Sequence, residues 1–215
     1  MKDIVAAVVN RLKANSTVFL QVQMPLQAGV DFATTAPSTT TVTMKTDQTG
    51  RLAPGNAIGL TVSGVLVFTY VKSITATLLT LYDAVLVTTP SALTGIGIAR
   101  VYADNLPPGC GKPAIAVIRP TATRPEQNSS GAYTIARVQC TSFATSGGAA
   151  AQLDETVADA LNLTVNTLLP QDPSLAPVAV VRIEDLTALP DNSDALLRGE
   201  YRVHHDFVVE YLYKG

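Results

Sequence analysis

The chain has 215 residues, of which 47% are hydrophobic and only 15% charged, and its formal net charge is −2. This hydrophobic content excludes a disordered chain, and the length suffices for one large domain or two small ones with cores of their own. Because Lys and Arg do not cluster, the sequence argues against a protein that binds nucleic acid through contacts to its phosphates.

The cysteines and the N-terminus exclude further classes. Cys110 and Cys140 have no Cys or His at metal-ligand spacing, so we expect free thiols and neither a zinc site nor a disulfide. Polar residues interrupt the first fifteen positions, which predicts no signal peptide and no membrane span. We therefore expect a protein that stays in the compartment where it is made.

The first elements in chain order are a helix and a strand. Ile4, Val8 and Leu12 recur at helical spacing and predict an amphipathic helix that ends near Asn15. The β-branched and apolar run 18–24 predicts a strand that stops at Pro25.

From residue 26 the composition shifts to Thr, Ser, Gly, Val and Ala, and short β-like runs alternate with turn residues. A small antiparallel barrel or sandwich is expected. The Pro- and Gly-rich segment 105–113 is typical of a chain that crosses back between modules. Residues 26–105 are therefore predicted as a β-rich domain inserted into a domain formed by 1–25 and 106–215. Its predicted strands are 40–45, 56–62, 65–73, 77–82 and 97–102.

After the insertion the pattern predicts an α+β fold, in which a mostly antiparallel sheet is flanked by two helices. Leu153, Val157 and Leu161 mark one face of the second helix. The remaining segments are predicted as a strand at 114–119, a polar loop at 120–131, strands at 133–143 and 178–184, and a short helical turn at 191–197.

The final segment, 201–213, alternates clearly between apolar and polar residues. This period predicts a long antiparallel strand with one buried face and one face that meets water or a partner. The strand at 133–143 alternates in the same way. The polar positions of these two strands are the candidate subunit or partner contacts: Arg137, Gln139, Arg202, His204, Asp206 and Glu210.

No combination of residues predicts a catalytic, cofactor or metal site. His204 and His205 are neighbours on one strand and point to opposite faces, so they cannot readily share a metal ion, and His205 is expected to be a satisfied core histidine. Asp154, Glu155 and Asp159 are expected to form a solvated helix face, because no second acidic cluster supports them. We therefore expect a protein that is not an enzyme and has no cofactor.

The order of elements resembles that of the tail terminator proteins of long-tailed bacteriophages. The resemblance covers about residues 1–25 and 110–215 and includes the sequences Ile118-Arg119-Pro120, Ala136 to Cys140 and the closing strand from Tyr201. It implies a hexameric ring that caps the tail tube, stops its polymerisation and docks the head-side connector, while DNA passes through without sequence-specific binding. The implied location is the virion, after assembly in the host cytoplasm. The β-rich insertion is not part of the minimal terminator fold.

Three other functions stay open at this point. One is a different neck, stopper, baseplate or tail component. Another is a ligand-binding module that uses Tyr70, Tyr82 or Tyr102 of the β-rich domain, although the absence of Trp weakens it. The last is a hydrolase with a dispersed active site, for which the titratable residues are few.

Overall fold

The computed structural model describes residues 3–36, 38–84, 93–123, 133–162, 165–169, 176–191 and 199–212. The chain divides into two compact units. Unit 1 comprises Met1–Val22 and Arg100–Gly215, and unit 2 comprises Gln23–Ala99. These divisions lie a few residues before the predicted ones at 25/26 and 105/106.

The chain begins with two helices, α1 (Ile4–Lys13) and α2 (Ser16–Val22). The Asp3 side chain caps α1 by accepting hydrogen bonds from the backbone N–H groups of its first turn. The predicted strand at 18–24 is wrong for residues 18–22, which are helical, whereas Gln23 and Met24 do lie in a strand that continues to Leu26. Asn15 Oδ1 accepts hydrogen bonds from two backbone N–H groups, at 3.1 and 3.0 Å, and this cap starts a second helix despite the β-branched residues that follow.

Unit 2 is a six-stranded antiparallel sheet in the order β1-β6-β3-β4-β5-β2. One hydrophobic cluster forms its core, with Phe32, Leu60 and Leu79 fully buried. A two-residue turn, Ser63-Gly64, joins β3 to β4, and both residues have positive φ (49° and 81°) as the twist of a tight hairpin requires. The strands are β1 (Gln23–Leu26), β2 (Thr41–Thr43), β3 (Ala57–Val62), β4 (Val65–Ile74), β5 (Leu78–Leu81) and β6 (Leu93–Ala99).

The chain returns to unit 1 at Arg100, earlier than predicted. The predicted strand 97–102 is therefore wrong as a single element: it falls across the end of β6 in unit 2 and the start of β7 (Val101–Ala103) in unit 1. The next strand, β8 (Ala114–Thr123), pairs parallel with β7. Parallel neighbours need a connection that crosses back, so the Pro- and Gly-rich segment 105–113 is a connection within unit 1.

Unit 1 has a six-stranded sheet in the order β10-β11-β12-β9-β8-β7, antiparallel except for β7 with β8. The α+β class with mostly antiparallel sheets is confirmed, and α2 is a helix beyond the two expected. The other elements of unit 1 are β9 (Tyr133–Ala144), α3 (Gly147–Asn162), β10 (Val165–Leu169), β11 (Val178–Asp191) and β12 (Tyr201–Leu212).

Several predicted boundaries in unit 1 need correction. β8 continues through Thr123 into the segment predicted as a loop, because it keeps pairing with β9 across a register shift after Ile118. β11 runs to Asp191, beyond its predicted end at 184, because β12 offers a partner along its whole length. The sequence analysis missed β10. Most of the predicted loop at 120–131 and nearly all of the predicted turn at 191–197 lie outside the described residues.

α3 covers one face of this sheet. Ala150 on α3 packs with Ala144 of β9 and Val203 of β12 in a buried cluster. In β12 the odd-numbered positions from Val203 to Tyr211 are buried. The alternation predicted for the final strand is therefore present, and the even-numbered positions lie on the face away from α3.

Candidate assembly surface

The side chains of β9, β11 and β12 that point away from α3 form a polar surface, which we call the outer face. The register places Gln139 opposite Asp206, Thr141 opposite His204 and Ile135 opposite Glu210. All six predicted contact residues lie on this one face, because β9 and β12 are adjacent and in continuous register. They are Arg137, Gln139, Arg202, His204, Asp206 and Glu210.

Asp206 is the most buried polar residue of the outer face, with 4% of its surface exposed. Its carboxylate forms an ion pair with Arg137 and accepts a hydrogen bond of 3.1 Å from Gln139 Nε2. Burial would raise the pKa of Asp206, but the hydrogen bonds from Arg137 and Gln139 lower it by more, and its pKa lies below the ordinary value. The centre of this face therefore holds a carboxylate that stays ionised.

The two flanking positions of β12 also have partners. His204 Nδ1 lies 2.9 Å from Thr141 Oγ1, and His204 Nε2 lies 3.5 Å from Asp191 Oδ2. The Arg202 guanidinium binds Glu200 Oε1 at 2.7 Å and lies 5.4 Å from the centre of the Phe143 ring. These contacts restrict the His204 and Arg202 side chains to one geometry each, so this part of the outer face is preorganised.

At the far end of the strand, Glu210 accepts a hydrogen bond of 2.9 Å from Arg182 of β11, which also pairs with Glu184. The sequence analysis did not single out Arg182 or Glu184. The two residues are two positions apart in a strand, and alternate strand residues share a face, so this spacing could have identified them as a pair on the outer face. Arg137, Arg182 and Arg202 thus each bind a carboxylate; the pairs Arg137–Asp206 and Arg182–Glu210 join neighbouring strands.

Large apolar side chains interrupt this polar surface. Ile135 shares the register position of Glu210 and is 37% exposed, while Leu189 pairs with His204 and is 58% exposed. Leu186 lies at a register shift of β11 and is 51% exposed. Isolated apolar side chains are common on protein surfaces, so it is their position beside ordered ion pairs that makes this face a candidate contact surface.

On the opposite face, His205 is confirmed as a satisfied core histidine. It is 4% exposed, its Nδ1 lies 3.0 Å from Asp154 Oδ2, and its Nε2 lies 2.6 Å from Asp185 Oδ1. Its ring stacks on Phe207 with the ring centres 4.4 Å apart. The imidazole thus connects helix α3, strand β11 and strand β12.

The expectation of a solvated face for Asp154 is wrong, because Asp154 is 6% exposed. Burial raises the pKa of its carboxyl group, an effect that His205 opposes and Asp185 reinforces. Its Oδ1 atom has no hydrogen-bond partner within the described residues. Glu155 and Asp159, by contrast, are exposed as predicted.

The His205 imidazole thus lies between a buried carboxylate, Asp154, and a more exposed one, Asp185. The Cys140 thiol is also buried in this part of the core, and desolvation, followed by the charges of Asp154 and Asp206, raises its pKa, so it stays protonated. Within the described part of the chain, no group of three or more His, Cys, Asp or Glu is placed to hold a metal ion.

A groove lies beside α3, between the first half of that helix and the ends of β11 and β12. Its volume is about 440 Å³. Small or apolar residues line most of it, and three charged residues line it as well: Gly147, Ala150, Ala151, Ala188, Pro190 and Val203, with Asp154, Glu155 and Arg202. The groove therefore combines an apolar wall with two acidic side chains and one basic side chain.

The tyrosines proposed for a ligand-binding module do not all belong to the β-rich unit. Tyr70 lies on β4 and Tyr82 follows β5, and the Tyr82 N–H donates a hydrogen bond of 3.1 Å to the Tyr70 carbonyl. Tyr102 lies on β7 in unit 1. The grouping of the three residues in one domain is therefore wrong.

No family model matches the chain, and no curated protein matches it. Among solved structures, the chain is similar to one titled "Virion of native gene transfer agent (GTA) particle", with a TM-score of 0.41 and 18% sequence identity. The similarity covers 53% of this chain and 79% of the other. None of the helices in the described ranges is both long and apolar enough to span a membrane.

Proposed function

We propose that this chain is a structural virion protein, without enzymatic activity, that forms a ring at the top of the tail of a long-tailed bacteriophage. In this role it ends tail-tube polymerisation and joins the tail to the head-side connector. The observation that carries the proposal is the outer face, where ordered ion pairs surround exposed leucines on a continuous sheet. Such a surface is suited to binding a protein partner.

The order of elements supports the same proposal. The resemblance noted in the sequence concerns a first helix, a strand, a returning strand, a long strand, a second helix and a closing strand. Unit 1 contains α1, β8, β9, α3 and β12 in that order, but helix α2 stands where the first strand was expected. The closing strand is also the one that carries most of the predicted contact residues. The surface that would meet a partner is therefore built by the elements on which the resemblance rests.

The charges of the outer face fit a ring through which DNA passes. Arg137 and Arg202 each bind a carboxylate of their own chain. Neutralised arginines offer little drive for counterion release, so DNA would slide past such a surface without being held. The proposed partners are further copies of this chain, the tail-tube protein and the head-side connector or stopper, with genomic DNA as a passing contact and no membrane.

Native mass spectrometry and electron microscopy of the purified protein test the proposal. We expect closed rings of about six subunits that bind the ends of tail tubes and stop their elongation in a polymerisation assay. A chain that stays monomeric at high concentration and leaves tube growth unchanged would contradict it. Rings that bind elsewhere on the particle would instead favour a stopper or baseplate component.

A further inference from the structure

We propose that Asp154, His205 and Asp185 form a proton-binding site that holds, at neutral pH, one proton more than the three side chains carry when they are separate. The three residues come from helix α3, strand β12 and strand β11. His205 Nδ1 lies 3.0 Å from Asp154 Oδ2, and His205 Nε2 lies 2.6 Å from Asp185 Oδ1. The extra proton therefore completes the contacts that join the helix to the two strands.

The number of protons follows from the donors and acceptors of the three groups. An ionised carboxylate can only accept hydrogen bonds, and a neutral imidazole has one N–H group and one unprotonated nitrogen. An unprotonated nitrogen that faces a carboxylate oxygen at 2.6 or 3.0 Å would bring two lone pairs together, so each contact needs a hydrogen atom. Two contacts need two protons, and the neutral imidazole supplies only one. The site holds this second proton as a unit, because strongly coupled groups titrate together.

Burial and charge favour the extra proton. His205 and Asp154 are 4% and 6% exposed, respectively. Burial raises the pKa of Asp154; the charge of His205 opposes this rise and the charge of Asp185 reinforces it. A neutral imidazole between two ionised carboxylates would leave two negative charges together at a largely buried place. One added proton halves that charge and lets both nitrogens donate.

The other ionisable groups around the site supply no positive charge. Cys140 of β9 lies opposite His205 in the register, and its thiol stays protonated because burial raises its pKa. Asp206, the next residue of β12, has its own partners on the outer face. Glu155 and Asp159 of α3 are exposed. In the described ranges no Lys or Arg pairs with any member of the site, so a proton is the cation that fits it.

The site can exchange its proton with water, because the Asp185 side chain is 44% exposed. The folded chain binds one proton more than the unfolded chain above about pH 6.5, where an unfolded histidine becomes neutral. The stability that the site contributes is therefore present at lower pH and is lost as the pH rises to the point of release. Within this range the equilibrium constant of unfolding should rise by up to about tenfold per pH unit.

The test uses a His204→Phe background, in which His205 is the one histidine left of the two in the chain. Asp185→Asn removes a half-exposed carboxylate, and the asparagine amide can donate to an unprotonated ring nitrogen, so no extra proton is needed. Glu184→Gln is the matched control, because this neighbouring carboxylate of β11 is 49% exposed and pairs with Arg182 instead. NMR of the ring C–H signals of His205 follows proton release, and urea unfolding gives the equilibrium constant.

We expect the ring signals of the background protein and of Glu184→Gln to titrate at least about one pH unit above the value of about 6.5 for an unfolded chain. In Asp185→Asn the titration should move towards that value, and the rise of the unfolding constant with pH should be several-fold smaller. A background protein that titrates near pH 6.5, or an Asp185→Asn variant that behaves like Glu184→Gln, would overturn the proposal. If Asp185→Asn does not fold, the titration of the background protein decides alone.

Discussion

Replacement of His205 by phenylalanine tests how the buried imidazole stabilises unit 1. The new phenyl ring would keep most of the volume and the stacking on Phe207, which lies 4.4 Å away in the wild type. It would lose both nitrogen atoms, so that the contacts to Asp154 and Asp185 disappear together. The substitution therefore removes polar contacts with little change in packing.

The two lost contacts differ in their contribution. The Asp185 side chain is 44% exposed and can recover its hydrogen bonds from water, so its loss should cost only about 0–1 kcal/mol. The Asp154 side chain is 8% exposed and already has one oxygen without a partner, so its loss should cost roughly 1.5–3 kcal/mol. We expect a total decrease in the free energy of unfolding of about 1.5–4 kcal/mol.

The expected decrease in the free energy of unfolding depends on pH. Burial already raises the pKa of Asp154, and His205 opposes that rise, so removal of the imidazole should raise the pKa further. A carboxyl group with a raised folded-state pKa stabilises the fold in its protonated form and loses that contribution as the pH rises through the folded value. The substitution should therefore cost less in acid than at neutral pH.

Urea unfolding followed by far-UV circular dichroism, at several pH values, measures the effect. The matched control is His204→Phe, because the His204 side chain is 31% exposed on the outer face and its loss should cost less than about 1 kcal/mol. If His205→Phe lowers the free energy of unfolding no more than His204→Phe does, the reasoning that Asp154 becomes a buried carboxylate without a partner is refuted. The same holds if the loss does not grow from acid to neutral pH.

Three further predictions concern other parts of the chain. Asp206→Asn should lower the free energy of unfolding at neutral pH, because the lowered pKa of Asp206 gives stability that is lost on acidification. In urea titrations the decline of this free energy between about pH 5 and pH 2 should be smaller than in the wild type. An unchanged acid profile would contradict this. In native protein a thiol reagent should modify the part-exposed Cys110 and leave the buried Cys140 until unfolding, and equal labelling rates would disprove it. Gly64→Ala should cost roughly 1–2 kcal/mol in thermal melts because of its positive φ of 81°, whereas Gly50→Ala, with open space around it, should be nearly neutral.

The parts of unit 1 that were predictable share a strong period. The closing strand alternates over many residues, so its buried face and its outer face could be read directly, and His205 could be assigned to the core. Helix α1 was equally clear, since its apolar positions follow a helical repeat. The six contact residues follow from the same alternation, but their role in assembly stays a prediction.

The errors arose where a local signal competed with a distant partner. The apolar run after Asn15 has strand propensity, yet a cap and burial at helical spacing made it α2. β11 continues past its apolar part only because β12 lies beside it. Neither choice could be made from a window of a few residues, because the energy of a strand comes largely from its neighbours.

By itself the sequence determined the class of the protein: an α+β chain interrupted by a β-rich block, with an amphipathic closing strand. Only the tertiary structure decided that Asp154 is buried against His205, and that the polar positions of β9 and β12 lie together on one face. Periodicity specifies which side of an element is apolar. Which elements meet on that side depends on contacts between residues far apart in the chain, and these exist only after folding.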